Sequence, residues 1–197
     1  MPAVKICGLT NPNEIKAVNL AVPEYIGFVF AQSRRQVSRK EAISLKAGLS
    51  GEIKSVGVFV DAALDFVALH SGIVDIFQLH GNESEGYISE LKSMTGRPVI
   101  KAFTLSTLRY SVADYILIDG ENAGSGKIFD WARLDMSSIK KPLFLAGGLD
   151  PGNVNQAIAA VRPYAVDTSS GVETNGLKDP EKIKSFITRV RNERGVV

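Results

Sequence analysis

The sequence is short of the residues that most often announce a chemistry. It holds one cysteine and two histidines in 197 residues. A lone cysteine closes no internal disulfide, which suits a reducing compartment. His70 and His80 have no cysteine or carboxylate cluster at ligand spacing, so no metal site is expected. No stretch approaches the ~20 consecutive apolar residues of a membrane span, and no basic leader precedes an apolar run. The net charge is only +2 and the basic residues are scattered, which argues against a nucleic-acid partner. A His-Asp-Ser order with a nucleophile elbow is missing as well. So are low-complexity tracts and linkers. The expectation is one cytoplasmic domain over residues 1–197, with no membrane contact and a monomer or homodimer left open.

What is present is regular. Short β-branched runs alternate with longer amphipathic ones from end to end. The strand-like runs are Val4–Cys7, Tyr25–Phe30, Ser55–Val60, Ile76–His80, Val99–Phe103, Tyr115–Asp119, Leu143–Ala146 and Ala165–Thr168. They are nearly continuous apolar stretches, as in parallel strands covered on both faces. Helix starts fall between them. Asn11-Pro12 with Glu14 gives a cap, a first-turn proline and an acid at the positive helix end. Ser38 to Glu41 is a capping box. Asp61, then Asn82 or Ser84, then Asp150-Pro151 and Asp179-Pro180 open the others. Thr104–Ala113 is barely long enough for a helix, and Trp131–Ile139 follows directly on a glycine-rich loop.

Eight such units in series fit an α/β fold, a single compact (β/α)₈ barrel with short loops. An open doubly wound sheet is the structural alternative. In a barrel the chemistry lies at the C-terminal strand ends and in the loops that follow. There the chain places Cys7, Gln32 to Arg35, His80-Gly81, Asp119, Gly147-Gly148 and Asp167 through Glu173. The connections at the opposite end, such as Val22-Pro23, look merely structural.

The loops after strands seven and eight are the most informative. Glycines let the backbone approach an anion, and barrels frequently build a phosphate site from these two loops. Gly147, Gly148, Ser169, Ser170 and Gly171 are therefore candidate phosphate ligands. The plainer reading makes them a turn and a cap. In the long strand-six loop, Gly124 to Lys127 resembles a P-loop fragment. It fails, because Glu121 stands where the first glycine belongs and Ile128 where the Mg²⁺-binding hydroxyl does. A loop covering a substrate suits it better. Asp130, just beyond, is a plain N-cap or an acid. Arg35 is a solvated loop residue or a bidentate partner for an anion. His80 is a satisfied strand-end group or a site residue. Cys7 is a small buried apolar side chain or a working thiol.

Taken together, Lys5-Ile6-Cys7-Gly8-Leu9-Thr10, Gly27 to Phe30, Val58 to Val60, Gln78 to Gly81, Gly124 to Lys127, Phe129 to Trp131, Ala146 to Leu149 and Val166 to Glu173 resemble the phosphoribosylanthranilate isomerases of tryptophan biosynthesis. The resemblance runs in order over essentially the whole chain. It implies a cofactor-free barrel that converts a small phosphosugar, N-(5-phosphoribosyl)anthranilate, to 1-(2-carboxyphenylamino)-1-deoxyribulose 5-phosphate by an Amadori rearrangement. It also implies Cys7 as general base, Asp130 as general acid and Arg35 on the anthranilate carboxylate. His80 and Asp167 would bind substrate, and the strand-seven and strand-eight loops the phosphate. A base of this kind calls for a thiol pKa lowered towards neutrality.

Three rivals stand beside this reading. Indole-glycerol-phosphate synthase would require a catalytic lysine with a carboxylate partner, for which Lys5 and Lys101 are available, but it leaves Phe129-Asp130-Trp131 unexplained. A metal-dependent pentose-phosphate epimerase would call for paired histidines and aspartates, which the chain lacks. A non-catalytic phosphosugar-binding barrel would keep the phosphate loops while losing acid or base.

Overall fold

The computed structural model describes residues 1–120 and 139–192. Eight parallel strands form a closed barrel in sequence order. They are β1 (Ala3–Cys7), β2 (Tyr25–Val29), β3 (Lys54–Phe59), β4 (Ile76–Leu79), β5 (Val99–Phe103), β6 (Tyr115–Ile118), β7 (Leu143–Leu145) and β8 (Ala165–Thr168). Strand β1 bonds to β2 on one side and to β8 on the other. That closure removes the doubly wound alternative.

Strand side chains alternate between faces, so each strand serves two cores. On β1, Val4 and Ile6 point out into the layer shared with the helices. Lys5 and Cys7 then face inward. The barrel interior is filled by Tyr25, Val56, Ile76, Ile100, Leu117, Phe144 and Ala165. Both faces are buried, which is why the strands read as continuous apolar runs.

Four helices begin where the sequence signals them: α1 (Pro12–Ala21), α2 (Arg39–Ala47), α4 (Glu85–Thr95) and α6 (Pro180–Arg191). Asn11 caps α1, Ser38 and Glu41 form the capping box of α2, Ser84 caps α4 and Asp179 caps α6.

Two starts differ. Helix α3 (Leu64–Ala68) begins after Ala63, not at Asp61. Asp61 sits at φ 46° and its carboxylate accepts the Asn82 N–H at 2.6 Å, so it joins two loops instead of capping a helix. Helix α5 (Val154–Val161) begins after Asn153. Asp150 is spent on the turn before it, accepting from the N–H groups of Gly152 and Asn153. Thr104–Ala113 contains only a 3-10 turn at Leu105–Thr107.

One element carries no periodic signal in the sequence, a hairpin of β9 (Glu173–Thr174) and β10 (Leu177–Lys178) directly after the strand-eight loop. Asn175 and Gly176 turn it with φ 52° and 82°, the paired positive values of the tight turn favoured in hairpins. Among the described residues, no helix is long and apolar enough to cross a membrane.

Candidate active site

A cavity of about 390 Å³ opens at the C-terminal ends of the strands. Its wall includes Cys7, Arg35, His80, Asp119, Asp167 and the two loops Ala146 to Leu149 and Thr168 to Gly171. Nine of the ten residues singled out from the sequence therefore meet in one place. The tenth, Asp130, lies outside the described residues, as do the P-loop-like fragment and Trp131.

The cavity floor follows from strand register. Lys5 and Asp167 stand opposite each other on β1 and β8. Their side chains meet as a buried ion pair, Nζ to Oδ2 2.7 Å. Burial alone would lower the Lys5 pKa, but the Asp167 carboxylate beside it holds it above its ordinary value, so it stays an ammonium. The other Asp167 oxygen, Oδ1, is buried with no partner among the described residues. An unmet carboxylate oxygen on a cavity wall is an acceptor awaiting a donor.

Cys7 is two residues along from Lys5 on the same face. Its close packing requires Gly27 on the neighbouring strand, where a Cβ would lie 2.6 Å from Sγ. The thiol does not follow the expectation of a lowered pKa. Burial pushes it above its ordinary value, with the Lys5 and Lys178 ammoniums pulling against that and Asp167 reinforcing it. At rest it is a protonated thiol beside two amines.

Across the floor, Gln78 Nε2 lies 3.1 Å from His80 Nδ1. If that amide donates, the ring proton sits on Nε2, which lies 3.5 Å from Asp119 Oδ2. The bland reading of His80 as a satisfied strand-end group fits this geometry, and so does its place on the wall.

The loops after β7 and β8 have the backbone expected of them. Gly147 and Gly148 adopt φ 94° and 69°, in the region glycine favours. Gly171 passes so close to the strand-seven loop that a Cβ would stand 2.0 Å from the Leu149 carbonyl oxygen. Thr168 Oγ1 donates to that same oxygen at 2.6 Å, binding the two loops together. Ser169 donates to the Cys7 carbonyl at 2.9 Å, which links the strand-eight loop to the thiol-bearing strand end.

Arg35 reaches the cavity from the strand-two loop and pairs bidentately with Glu173, Nε to Oε1 2.7 Å and Nη2 to Oε2 3.0 Å. The same carboxylate takes Lys178 Nζ at 2.6 Å and Arg34 Nη2 at 2.6 Å. Burial works against its charge, yet the bonds from Arg35 and Lys178 bring the Glu173 pKa down to about 2. Neither Glu173 nor Lys178 received a role from the sequence. A signal existed for Glu173, the lone acid ending the strand-eight loop while a basic Arg34-Arg35 pair ends the strand-two loop. Nothing in the sequence marks Lys178. Buried Glu14 completes the tie, accepting the Lys178 N–H at 2.9 Å and the Thr10 N–H at 2.6 Å.

The lysines that the synthase reading would use do each have a carboxylate partner, but both are buried away from the cavity. Lys5 faces Asp167, and Lys101 is buried against Glu83 at 3.1 Å while also donating to the Gly81 carbonyl at 2.6 Å. Neither amine lines the cavity.

A parallel barrel with two glycine-and-serine loops, a thiol and two carboxylates at its mouth has the build of a (β/α)₈ enzyme with its site at the strand ends. Comparison with known proteins narrows that class. The family described as "N-(5'phosphoribosyl)anthranilate (PRA) isomerase" matches residues 4–189. The N-(5'-phosphoribosyl)anthranilate isomerase of Clostridium kluyveri is 47% identical, over 98% of this chain and 99% of its own. The crystal structure of phosphoribosyl anthranilate isomerase from Thermotoga maritima superposes with a TM-score of 0.87 at 34% identity, covering 97% of this chain and 99% of that one. A structure of such an isomerase in complex with reduced 1-(o-carboxyphenylamino)-1-deoxyribulose 5-phosphate aligns with a TM-score of 0.79 at 31% identity, over 97% and 99% of the two chains. The chain belongs to the N-(5'-phosphoribosyl)anthranilate isomerase family. It is an isomerase of tryptophan biosynthesis.

Proposed function

We propose that this chain performs the Amadori rearrangement of N-(5'-phosphoribosyl)anthranilate by general acid–base catalysis, with Cys7 as base and Asp130 as acid. The observation that carries this reading is the convergence of Cys7, Asp167 and both glycine-serine loops on one cavity at the strand ends. The phosphate sits in the cradle of Gly147, Gly148, Ser169, Ser170 and Gly171. Arg35 meets the anthranilate carboxylate, and Asp167 offers its unpartnered Oδ1 to the anilino N–H. His80 binds the substrate from the opposite wall.

The acid protonates the ribose ring oxygen as the anilino nitrogen pushes the ring open, giving a cationic Schiff base. The base then takes the C2′ proton, and the resulting enolamine tautomerises to the ketose. A thiol held protonated at rest serves as the base after it has released its own proton to solvent through the cavity mouth, and the thiolate so formed is what takes the C2′ proton. The positive charge formed on the nitrogen favours the thiolate, and a thiol whose pKa is raised is the stronger base once ionised. The protein works as a monomer or homodimer on a small-molecule phosphosugar.

The test follows anthranilate fluorescence of the substrate with purified protein. Loss of signal with formation of the ketose supports the isomerase. Indole formation would install the synthase reading, and substrate bound but unchanged would install the binder.

A further inference from the structure

Arg35 is not loose in its loop. Two parallel bonds from Nε and Nη2 fix its guanidinium edge-on to Glu173. The backbone is shaped for this contact, because Gly8 at φ 82° lets the arginine pass where a Cβ would lie 2.4 Å from Arg35 Cδ. Glu173 is anchored in turn by Lys178 and Arg34, and its side chain is only 5% exposed. It stands at the start of the β9–β10 hairpin, so the hairpin carries the anchor. Among the described residues, Nη1 of Arg35 has no acceptor. A guanidinium carries five N–H donors in a rigid fork, and an edge-on bond through Nε and Nη2 leaves the end-on pair for a second carboxylate. Three cations facing one carboxylate also keep an excess of positive charge at this lip of the cavity.

We propose that Glu173 is a positioning residue for substrate recognition, holding the Arg35 guanidinium so that its remaining end meets the substrate carboxylate. This rests on the role given to Arg35 under Proposed function and adds to it the residue that enforces it. The physical gain is pre-organisation. A long side chain already ordered by Glu173 loses little freedom when the ligand arrives, whereas an unanchored arginine must be ordered at binding.

The experiment compares two ligands, reduced 1-(o-carboxyphenylamino)-1-deoxyribulose 5-phosphate and the same molecule without its carboxyl group, by titration calorimetry. Arg35→Met is expected to weaken the carboxylated ligand about 100-fold, and Glu173→Gln about tenfold. Neither should change the decarboxylated ligand by more than about twofold, and the double variant should be no weaker than Arg35→Met alone. In steady state, Glu173→Gln should raise KM more than it lowers kcat. If Glu173→Gln fails to fold, Glu173→Asp keeps the charge against Arg34 and Lys178 and should show the same selective loss. Equal weakening of both ligands, or effects that add in the double variant, would overturn the proposal. Selective loss in Arg35→Met with none in either Glu173 variant overturns this inference alone. No loss in Arg35→Met removes the Arg35 role and this inference with it.

Discussion

The two ends of the barrel are built on opposite principles. At the C-terminal mouth, ionisable groups crowd together, glycines hold left-handed backbone, and one carboxylate oxygen of Asp167 goes unmet among the described residues. At the N-terminal floor, four aromatic rings close the barrel. Phe144 packs edge-on against Tyr25 at 5.4 Å and Tyr115 at 5.5 Å, and the Tyr25 and Tyr164 hydroxyls share a hydrogen bond of 2.9 Å. A hollow at that end is larger than the mouth cavity, about 770 Å³. There Glu24 accepts the Val4 N–H at 2.8 Å and faces Arg191 at 3.4 Å. Size therefore does not mark the site. Unmet polar groups and cleared backbone do.

If this division is sound, damage to the floor should cost stability and damage to the mouth should cost function. The largest expected effect on folding is at Phe144, fully buried at the centre of the aromatic floor. Phe144→Ala should lose about 3–5 kcal/mol in denaturant unfolding while kcat/KM of the folded fraction stays near wild type. A large kinetic defect in that folded fraction would break the comparison. Gly171→Ala tests the other side. Its Cβ would collide with the Leu149 carbonyl, prising apart the two loops proposed to hold the phosphate. The expected outcome is a rise of about 100-fold in KM, read by the fluorescence assay, with weaker inhibition by inorganic phosphate.

Two predictions follow from charge. Glu173 titrates at about 2 in the folded protein against an ordinary 4.5. A depressed carboxylate contributes stability that is present above its unfolded value and lost as pH falls through the folded one. Stability should thus drop between about pH 4.5 and 2, and Glu173→Gln should flatten that part of the profile in chemical denaturation. The thiol runs the other way. Alkylation of Cys7 by iodoacetamide should be slow at pH 7 and accelerate above pH 9, because burial raises its pKa. Lys178→Met should move that onset higher by removing one of the cations that oppose the rise. The smallest effect lies on the outer ring. Ser38→Ala removes half of the α2 capping box and should cost about 1 kcal/mol in thermal or denaturant unfolding, without touching turnover.

The barrel was legible because its signals are local and repeated. Each strand is an apolar run, and each of the four well-placed helices has its own cap. The same local reading put Cys7, His80, Asp167 and the phosphate loops at strand ends, and these do share one cavity. It failed where a residue's partner is distant in the chain. Asp61 looks like a cap, but its carboxylate is taken by the N–H of Asn82, 21 residues on. Glu173 looks like the tail of a motif, yet it grips an arginine 138 residues away. The hairpin is illegible for a different reason. Asn175-Gly176 is a strong turn signal, but strands of two residues fall below any periodicity that sequence can display. The thiol pKa departs from expectation because burial, which no sequence pattern reports, outweighs the Lys5 and Lys178 ammoniums.

The central claim is that proton transfer at this mouth depends on Cys7. The direct measurement is single-turnover conversion of N-(5'-phosphoribosyl)anthranilate by Cys7→Ala, alongside its unfolding midpoint and its affinity for the reduced product analogue. The account predicts a rate lower by about 10²–10⁴, the range for loss of one general base, with midpoint and affinity close to wild type. Turnover near the wild-type rate in the folded variant would contradict it and return Cys7 to the role of a small buried side chain.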